Sequence, residues 1–132
     1  MQHDSKMHDA SRLLRRKQFE AREKERMVVL FSNMIRDFDE LIVSLDRQIA
    51  AEEDRTRIKD TRHPAYSTFA TAAAKRRQNL LSSVAHTKSV LDLVRHELGA
   101  LLVQLRNLEQ AQNNEPRLAP ASPTPKAISA LR

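Results

Sequence analysis

Two heptad stripes of apolar residues constrain this chain more than any other feature of its sequence. In the first stripe the residues follow one another at alternating spacings of three and four: Val28, Phe31, Ile35, Phe38, Ile42, Leu45 and Ile49. The second stripe repeats this spacing closer to the C-terminus: Leu80, Val84, Thr87, Leu91, Val94, Leu98, Leu101, Leu105 and Leu108. Such spacing keeps one face of a helix turned toward a partner helix. The stripes therefore predict two long helices that pack against each other.

The positions of proline indicate where these helices begin and end. Pro64 separates the two stripes, and the other four prolines lie at or after Pro116. Proline disfavours helix in the residue before it and fits the first turn of a helix. We therefore predict an all-α fold in which two long helices form an antiparallel coiled-coil hairpin. The predicted segments are a flexible N-terminus at 1–9, helix 1 at 10–57, a loop at 58–65, helix 2 at 66–112 and a disordered, proline-containing C-terminal tail at 113–132.

The position of the loop predicts the register of the hairpin. Facing residues of an antiparallel pair have a constant sum of residue numbers, and a loop centred near residue 61 gives a sum of 122, as for Val28 with Val94. Lys17 and Lys24 occupy stripe positions of helix 1 in this register, where charged side chains interrupt the apolar seam. The sequence therefore leaves the frame of helix 1 open between residues 10 and 25.

The composition narrows the class of protein and of partner. Charged residues make up 30% of the chain and aromatic residues 4%, as is typical of long or coiled-coil helices. The chain has no cysteine, which excludes disulfides and thiolate metal sites. A net charge of +6 suits an acidic protein, a nucleic acid or an anionic membrane surface. We expect a cytoplasmic protein, because no apolar run approaches the roughly 20 residues that span a bilayer and the first residues lack the apolar stretch of a signal peptide.

The sequence contains no constellation of residues that indicates catalysis. The single glycine, Gly99, excludes a glycine-rich phosphate loop, and His86 and His96 are too far apart on one helix to form a metal pair. A pair of helices also offers no deep pocket in which a serine, a histidine and an acid could converge. We therefore expect no enzymatic activity, no cofactor and no metal.

Basic and aromatic residues provide the candidates for binding. Basic residues cluster at 12–26 and at 55–77, either as a solvated face or as a binding surface. Because glutamates interrupt the first cluster and neither cluster carries a row of aromatics on which bases could stack, we expect no nucleic acid partner. Phe19 lies at an outward position of helix 1, and Phe69 flanks the seam just after the loop. Phe69 either contacts a partner or packs against the loop. Phe19 either contacts a partner or is an ordinary exposed apolar residue.

Several segments of the chain resemble the FliJ family of bacterial flagellar export proteins, above all those of alphaproteobacteria. The matching segments are residues 14–26, 35–41, 45–53, 63–70 and 75–80. The most specific of them is the loop segment His63-Pro-Ala-Tyr-Ser-Thr-Phe-Ala70, because its Tyr-x-x-Phe pattern does not follow from the heptads. The resemblance extends over roughly residues 12–105, and the first nine residues and the tail lie outside it.

This resemblance implies a non-catalytic component of the flagellar type III protein export apparatus, which serves motility and chemotaxis. In the family, a hairpin similar to the stalk of rotary ATPases couples the export ATPase ring to the membrane export gate and also engages export chaperones. Association with the inner face of the cell membrane is then peripheral and through these partners only. The implied gate contacts are Tyr66, Phe69, Ala73, Arg76 and Leu80. For the ATPase we expect contacts at Arg15, Arg16, Lys17 and Phe19.

Two other functions compete with this interpretation. Met34, Leu41 and Val90 form an apolar flank beside the seam, which either widens the core stripe or docks a further helix. The main alternative is therefore a generic structural coiled coil that self-associates into a helical bundle. A basic hairpin that associates with nucleic acid is the third hypothesis, and a steep salt dependence of DNA binding would favour it.

Overall fold

The computed structural model of the chain describes residues 2–114, and it describes their side chains from residue 5 onward. Two helices, α1 at Gln2–Thr56 and α2 at Thr68–Asn114, form an antiparallel hairpin, which confirms the predicted all-α fold. The part of the chain that the structure describes contains no strand. Most of the tail predicted at 113–132 lies outside the described residues. Neither described helix contains a segment long and apolar enough to cross a membrane.

The helix boundaries differ from the predicted ones at both ends of each helix. Helix α1 already begins at Gln2, so the segment expected to be a flexible N-terminus is helical from that residue onward. Helix α2 begins at Thr68 because Ser67 caps it, with the Ser67 hydroxyl accepting a bond of 3.1 Å from the Ala70 N–H. Pro64 therefore lies in the loop and not in the first turn of α2.

The loop at 57–67 is held by hydrogen bonds of its own. Arg57 ends α1 in the left-handed conformation, with φ of 64°, and its N–H donates to the Glu53 carbonyl at 2.8 Å. The Asp60 carboxylate accepts from the Arg62 N–H at 2.9 Å, and the Asp60 carbonyl accepts from the His63 N–H at 3.0 Å. These bonds fix the entry of the chain into α2 and hence the direction of its first side chains.

The described residues fall into two structural units, which we name by their position in the chain. The hairpin unit comprises residues 22–99, and the terminal unit comprises the residues up to 21 together with those from 100 onward. The buried residues of the hairpin unit are Ile42, Leu45, Tyr66, Ala70, Ala73, Val84, Thr87, Leu91 and Val94. The buried residues of the terminal unit are Ala21, Leu101 and Leu105. Apart from Tyr66, all of these occupy the positions that the heptad pattern predicts for the seam.

Two ion pairs between the helices of the hairpin unit support the predicted register. Lys24 Nζ lies 2.9 Å from Glu97 Oε1, and Arg77 Nε lies 2.5 Å from Asp46 Oδ1. The residue numbers of these pairs sum to 121 and 123, on either side of the predicted 122.

Thr87 is a polar residue of the seam and is buried. Its hydroxyl is satisfied, because Oγ1 donates a hydrogen bond of 2.7 Å to the Ser83 carbonyl.

Candidate protein-binding surfaces

Phe69 stands out at the start of α2 because a large apolar side chain is left open to solvent there. It lies in the first turn of the helix, directly before the buried Ala70, and is 53% exposed. The cap at Ser67 holds this turn in place. Its side chain is thus presented outward on an ordered backbone, which favours the binding hypothesis over packing at the loop.

Tyr66 takes the opposite role to the one implied by the family resemblance. Its side chain is buried, and its hydroxyl donates a hydrogen bond of 2.6 Å to Glu53 Oε2 on α1. This bond, together with burial and the negative charge of Glu53, raises the pKa of Tyr66. Tyr66 therefore ties the loop to the end of α1 and does not offer a free surface to a partner.

The three remaining candidates for the gate contact divide between the seam and the surface. Ala73 is buried and Leu80 is half-buried, since both belong to the stripe of α2 that packs against α1. Arg76 is exposed and lies seven residues after Phe69, two turns along the same face of the helix. Of the five predicted residues, the structure brings only Phe69 and Arg76 together as an accessible surface.

The candidates for the ATPase contact lie in the terminal unit. Arg15 and Arg16 are exposed, and Phe19 is 56% exposed. Lys17 is half-buried at its seam position, and Nζ lies 3.7 Å from Glu20 Oε1 on the same helix. Three of the four predicted side chains are therefore accessible, while Lys17 belongs partly to the seam. The frame of α1, which the sequence left open here, keeps Ala21 at a buried seam position.

A third surface, beside the seam of the hairpin unit, is larger than the predicted flank of Met34, Leu41 and Val90. Met34 and Val90 are half-buried and Leu41 is exposed, and Leu30 and Leu93, which were not predicted to belong to it, are exposed beside them. Leu30 precedes Met34 by four residues and Leu93 follows Val90 by three, so the helical spacing of i+3 and i+4 could have found both. The stripe therefore does not simply widen into a buried core here, because these leucines stay in contact with solvent.

The described residues offer few features for chemistry. Within residues 2–114, no group of three or more His, Cys, Asp or Glu side chains is placed to hold a metal ion. A shallow, open groove runs along α1, lined by Ser32, Ile35, Arg36, Asp39, Glu40, Val43 and Arg47. No family model, curated protein or solved structure matches the chain.

Proposed function

We propose that this chain is a component of the flagellar type III protein export apparatus that couples the export ATPase ring to the membrane export gate by binding both. The observation that carries the proposal is the exposed Phe69 in the segment 63–70, whose Tyr-x-x-Phe pattern resembles the FliJ family. Coupling of this kind requires two binding surfaces and no catalytic group of its own. In this proposal the chain is therefore not an enzyme, and it is needed for motility.

The gate contact is proposed at Phe69 and Arg76. Aromatic and arginine side chains are the commonest hot spots of protein interfaces, where truncation costs about 2 kcal/mol or more. Phe69 is well prepared for this role, because the Tyr66–Glu53 hydrogen bond and the Ser67 cap order the backbone on both sides of the residue. When a partner covers Phe69, the loop of this chain therefore loses little conformational freedom. More of the contact energy then appears as affinity.

The ATPase contact is proposed at Arg15, Arg16 and Phe19 of the terminal unit. An exposed aromatic beside two exposed arginines has the composition of a hot spot and suits a partner surface rich in carboxylates. Export chaperones are further candidate protein partners. The protein would then be cytoplasmic and would reach the inner face of the cell membrane only through the gate.

Phe69 and Phe19 form a matched pair for testing this division of labour, because their side chains are almost equally exposed. Phe69→Ala should weaken binding of the purified gate protein about 30-fold, the equivalent of 2 kcal/mol, and should reduce swimming. It should leave binding and stimulation of the ATPase near the wild-type level. Phe19→Ala, and Arg15→Ala combined with Arg16→Ala, should do the reverse.

The stability of each variant separates lost contacts from lost folding. Both phenylalanines are largely exposed. The thermal unfolding midpoints of Phe69→Ala and Phe19→Ala should therefore stay close to that of the wild type. The proposal fails if neither the gate nor the ATPase binds the wild-type chain. The two-surface form of it fails if both variants remain folded and each of them loses both partners.

A further inference from the structure

The apolar flank of the hairpin unit lies on one side of the seam. In the structure it comprises Met34, Leu41 and Val90 together with the adjacent Met27, Leu30 and Leu93. Met34 directly precedes the seam residue Ile35, and Val90 directly precedes Leu91. In an antiparallel pair of heptad helices, the rows that precede the seam in this way lie on the same side of the pair. The six side chains therefore form one surface contributed by both helices.

This apolar flank is unusually open for side chains of its kind. Leu30 is 54% exposed, Leu93 56% and Leu41 44%, while Met27, Met34 and Val90 are half-buried. No large side chain of the described residues is completely buried, since two helices alone cannot surround a bulky seam residue. A second layer of helices on the flank would cover these leucines and shield the seam residues behind them.

The size of the surface approaches what a stable dimer needs. The stretch of α2 from Arg76 to Glu97 is about 32 Å long at 1.5 Å per residue. Two packed helices present a face about 20 Å wide, so the projected area is about 600 Å². The accessible area of interdigitating side chains exceeds this projection and approaches the roughly 800 Å² that each partner buries in a stable interface.

The charges along the same row are complementary to themselves. The row that precedes the seam in α2 reads Phe69, Arg76, Ser83, Val90 and Glu97. A twofold axis that crosses the helices midway between Ser83 and Val90 superposes the position of Arg76 in one copy on that of Glu97 in the other. Arg76 is exposed, and Glu97 is half-buried, with Oε1 already bound by Lys24. Opposite charges thus meet at both ends of the row, with Ser83 and Val90 at its centre.

We propose that the apolar flank is the interface for a second copy of this chain, with the two hairpins antiparallel in a four-helix bundle. In this dimer α1 of one copy lies on α1 of the other, and α2 lies on α2. The arrangement buries the leucines of both copies around the twofold axis and pairs Arg76 with Glu97 of the second copy. It shares Arg76 with the proposed gate contact, so the dimer and the gate complex are alternative states of the chain. It involves none of Arg15, Arg16 and Phe19, and it does not depend on the proposed export function.

Two substitutions on α1 test the interface in the full-length chain. Leu41→Asp places a charge in the apolar flank, whereas Val43→Asp places the same charge two residues away, on the other side of the seam. Val43 is 47% exposed, so the two positions are equally accessible. Because each substitution occurs twice in a dimer, Leu41→Asp should weaken dimerisation at least about 100-fold, whereas Val43→Asp should change it less than about 3-fold, by sedimentation equilibrium.

Crosslinking of single cysteines tests the orientation, and the absence of native cysteine makes it unambiguous. With the twofold axis across the helices, Met34→Cys lies about 5 Å along the helix from its copy, and Gln48→Cys about 38 Å. A short bis-maleimide should therefore link Met34→Cys dimers and not Gln48→Cys dimers. Equal crosslinking of both would overturn the antiparallel arrangement. A monomeric wild-type chain at high concentration, or a dimer lost in Val43→Asp and kept in Leu41→Asp, would overturn the interface itself.

Discussion

The hairpin unit and the terminal unit are built from the same two helices, yet they accommodate cations at seam positions differently. In the hairpin unit, Lys24 and Arg77 each reach a carboxylate on the other helix, at Glu97 and Asp46. In the terminal unit, Lys17 lies near Glu20 of its own helix. An ion pair across the seam adds a contact between the two helices, whereas a pair within one helix does not.

The sequence beside the facing residue explains this difference. Lys24 faces Leu98, which directly follows Glu97, and Arg77 faces Leu45, which directly precedes Asp46. Lys17 faces Leu105, whose neighbours Gln104 and Arg106 carry no negative charge. A long cation in a two-helix seam can bend sideways and keep its charge near the surface. It joins the helices only when a carboxylate lies next to the residue that it faces.

The largest effect on stability should come from truncating a seam leucine of α2 in each of the two units. Leu91 faces Phe31 in the hairpin unit, so Leu91→Ala removes contacts with bulky apolar neighbours and should cost about 3 kcal/mol of the free energy of unfolding. Leu105 is almost as well buried but faces Lys17, and Leu105→Ala should cost less, about 2 kcal/mol. Urea denaturation followed by circular dichroism measures both losses. A larger loss for Leu105→Ala would contradict the ranking of the two seams.

A smaller effect on stability, of opposite sign, is expected when leucine replaces a lysine at a seam position of α1. Lys17→Leu adds an apolar contact with Leu105 and sacrifices only a local pair, so it should stabilise the chain by about 1 kcal/mol. Lys24→Leu gains a similar contact but leaves the half-exposed Glu97 without its partner, and its net effect should be near zero. Thermal unfolding of the two variants measures this difference. Equal stabilisation by both would show that the Lys24–Glu97 pair contributes nothing to the seam.

These comparisons also show which parts of the structure the sequence could predict. The two helices, their seam and the register follow from the heptads and the position of the loop, because burial is periodic and chain closure selects one register. The first residue of α2 does not follow, because the hydroxyl of Ser67 overrides the preference of Pro64 for a first helical turn. The inward position of Tyr66 was missed for a related reason. It lies outside the periodic stripes, and its orientation depends on one hydrogen bond to Glu53.

The surfaces were harder to predict than the seam. The outward position of Phe69 follows from its place beside the stripe, but its exposure depends on how the loop closes, which the heptads do not determine. Leu30 and Leu93 were missed because they lie next to the seam residues Phe31 and Val94, whose apolar runs the heptads already explain. They form a surface only when the antiparallel pairing brings the flanks of α1 and α2 to the same side.

The smallest expected effect concerns Tyr66, which reports on the hairpin unit alone. It is the only tyrosine in a chain without tryptophan, so the ultraviolet absorbance of its phenolate follows this side chain without interference. The hydrogen bond to Glu53 is the main cause of its raised pKa. Glu53→Gln keeps an acceptor oxygen but removes the negative charge, so the pKa of Tyr66 should fall toward its ordinary value of about 10.

The sign of the linked stability effect follows from the direction of this shift. The folded hairpin unit favours the protonated phenol, so the contribution of Tyr66 is fully present below the pKa of the unfolded chain and is lost as the pH rises through the raised pKa of the folded state. Lys17→Leu provides the control, because it changes the terminal unit and should leave the Tyr66 titration where it is. If Glu53→Gln titrates like the wild type, or if Lys17→Leu shifts the curve as far as Glu53→Gln does, then Tyr66 does not report on the hairpin unit alone.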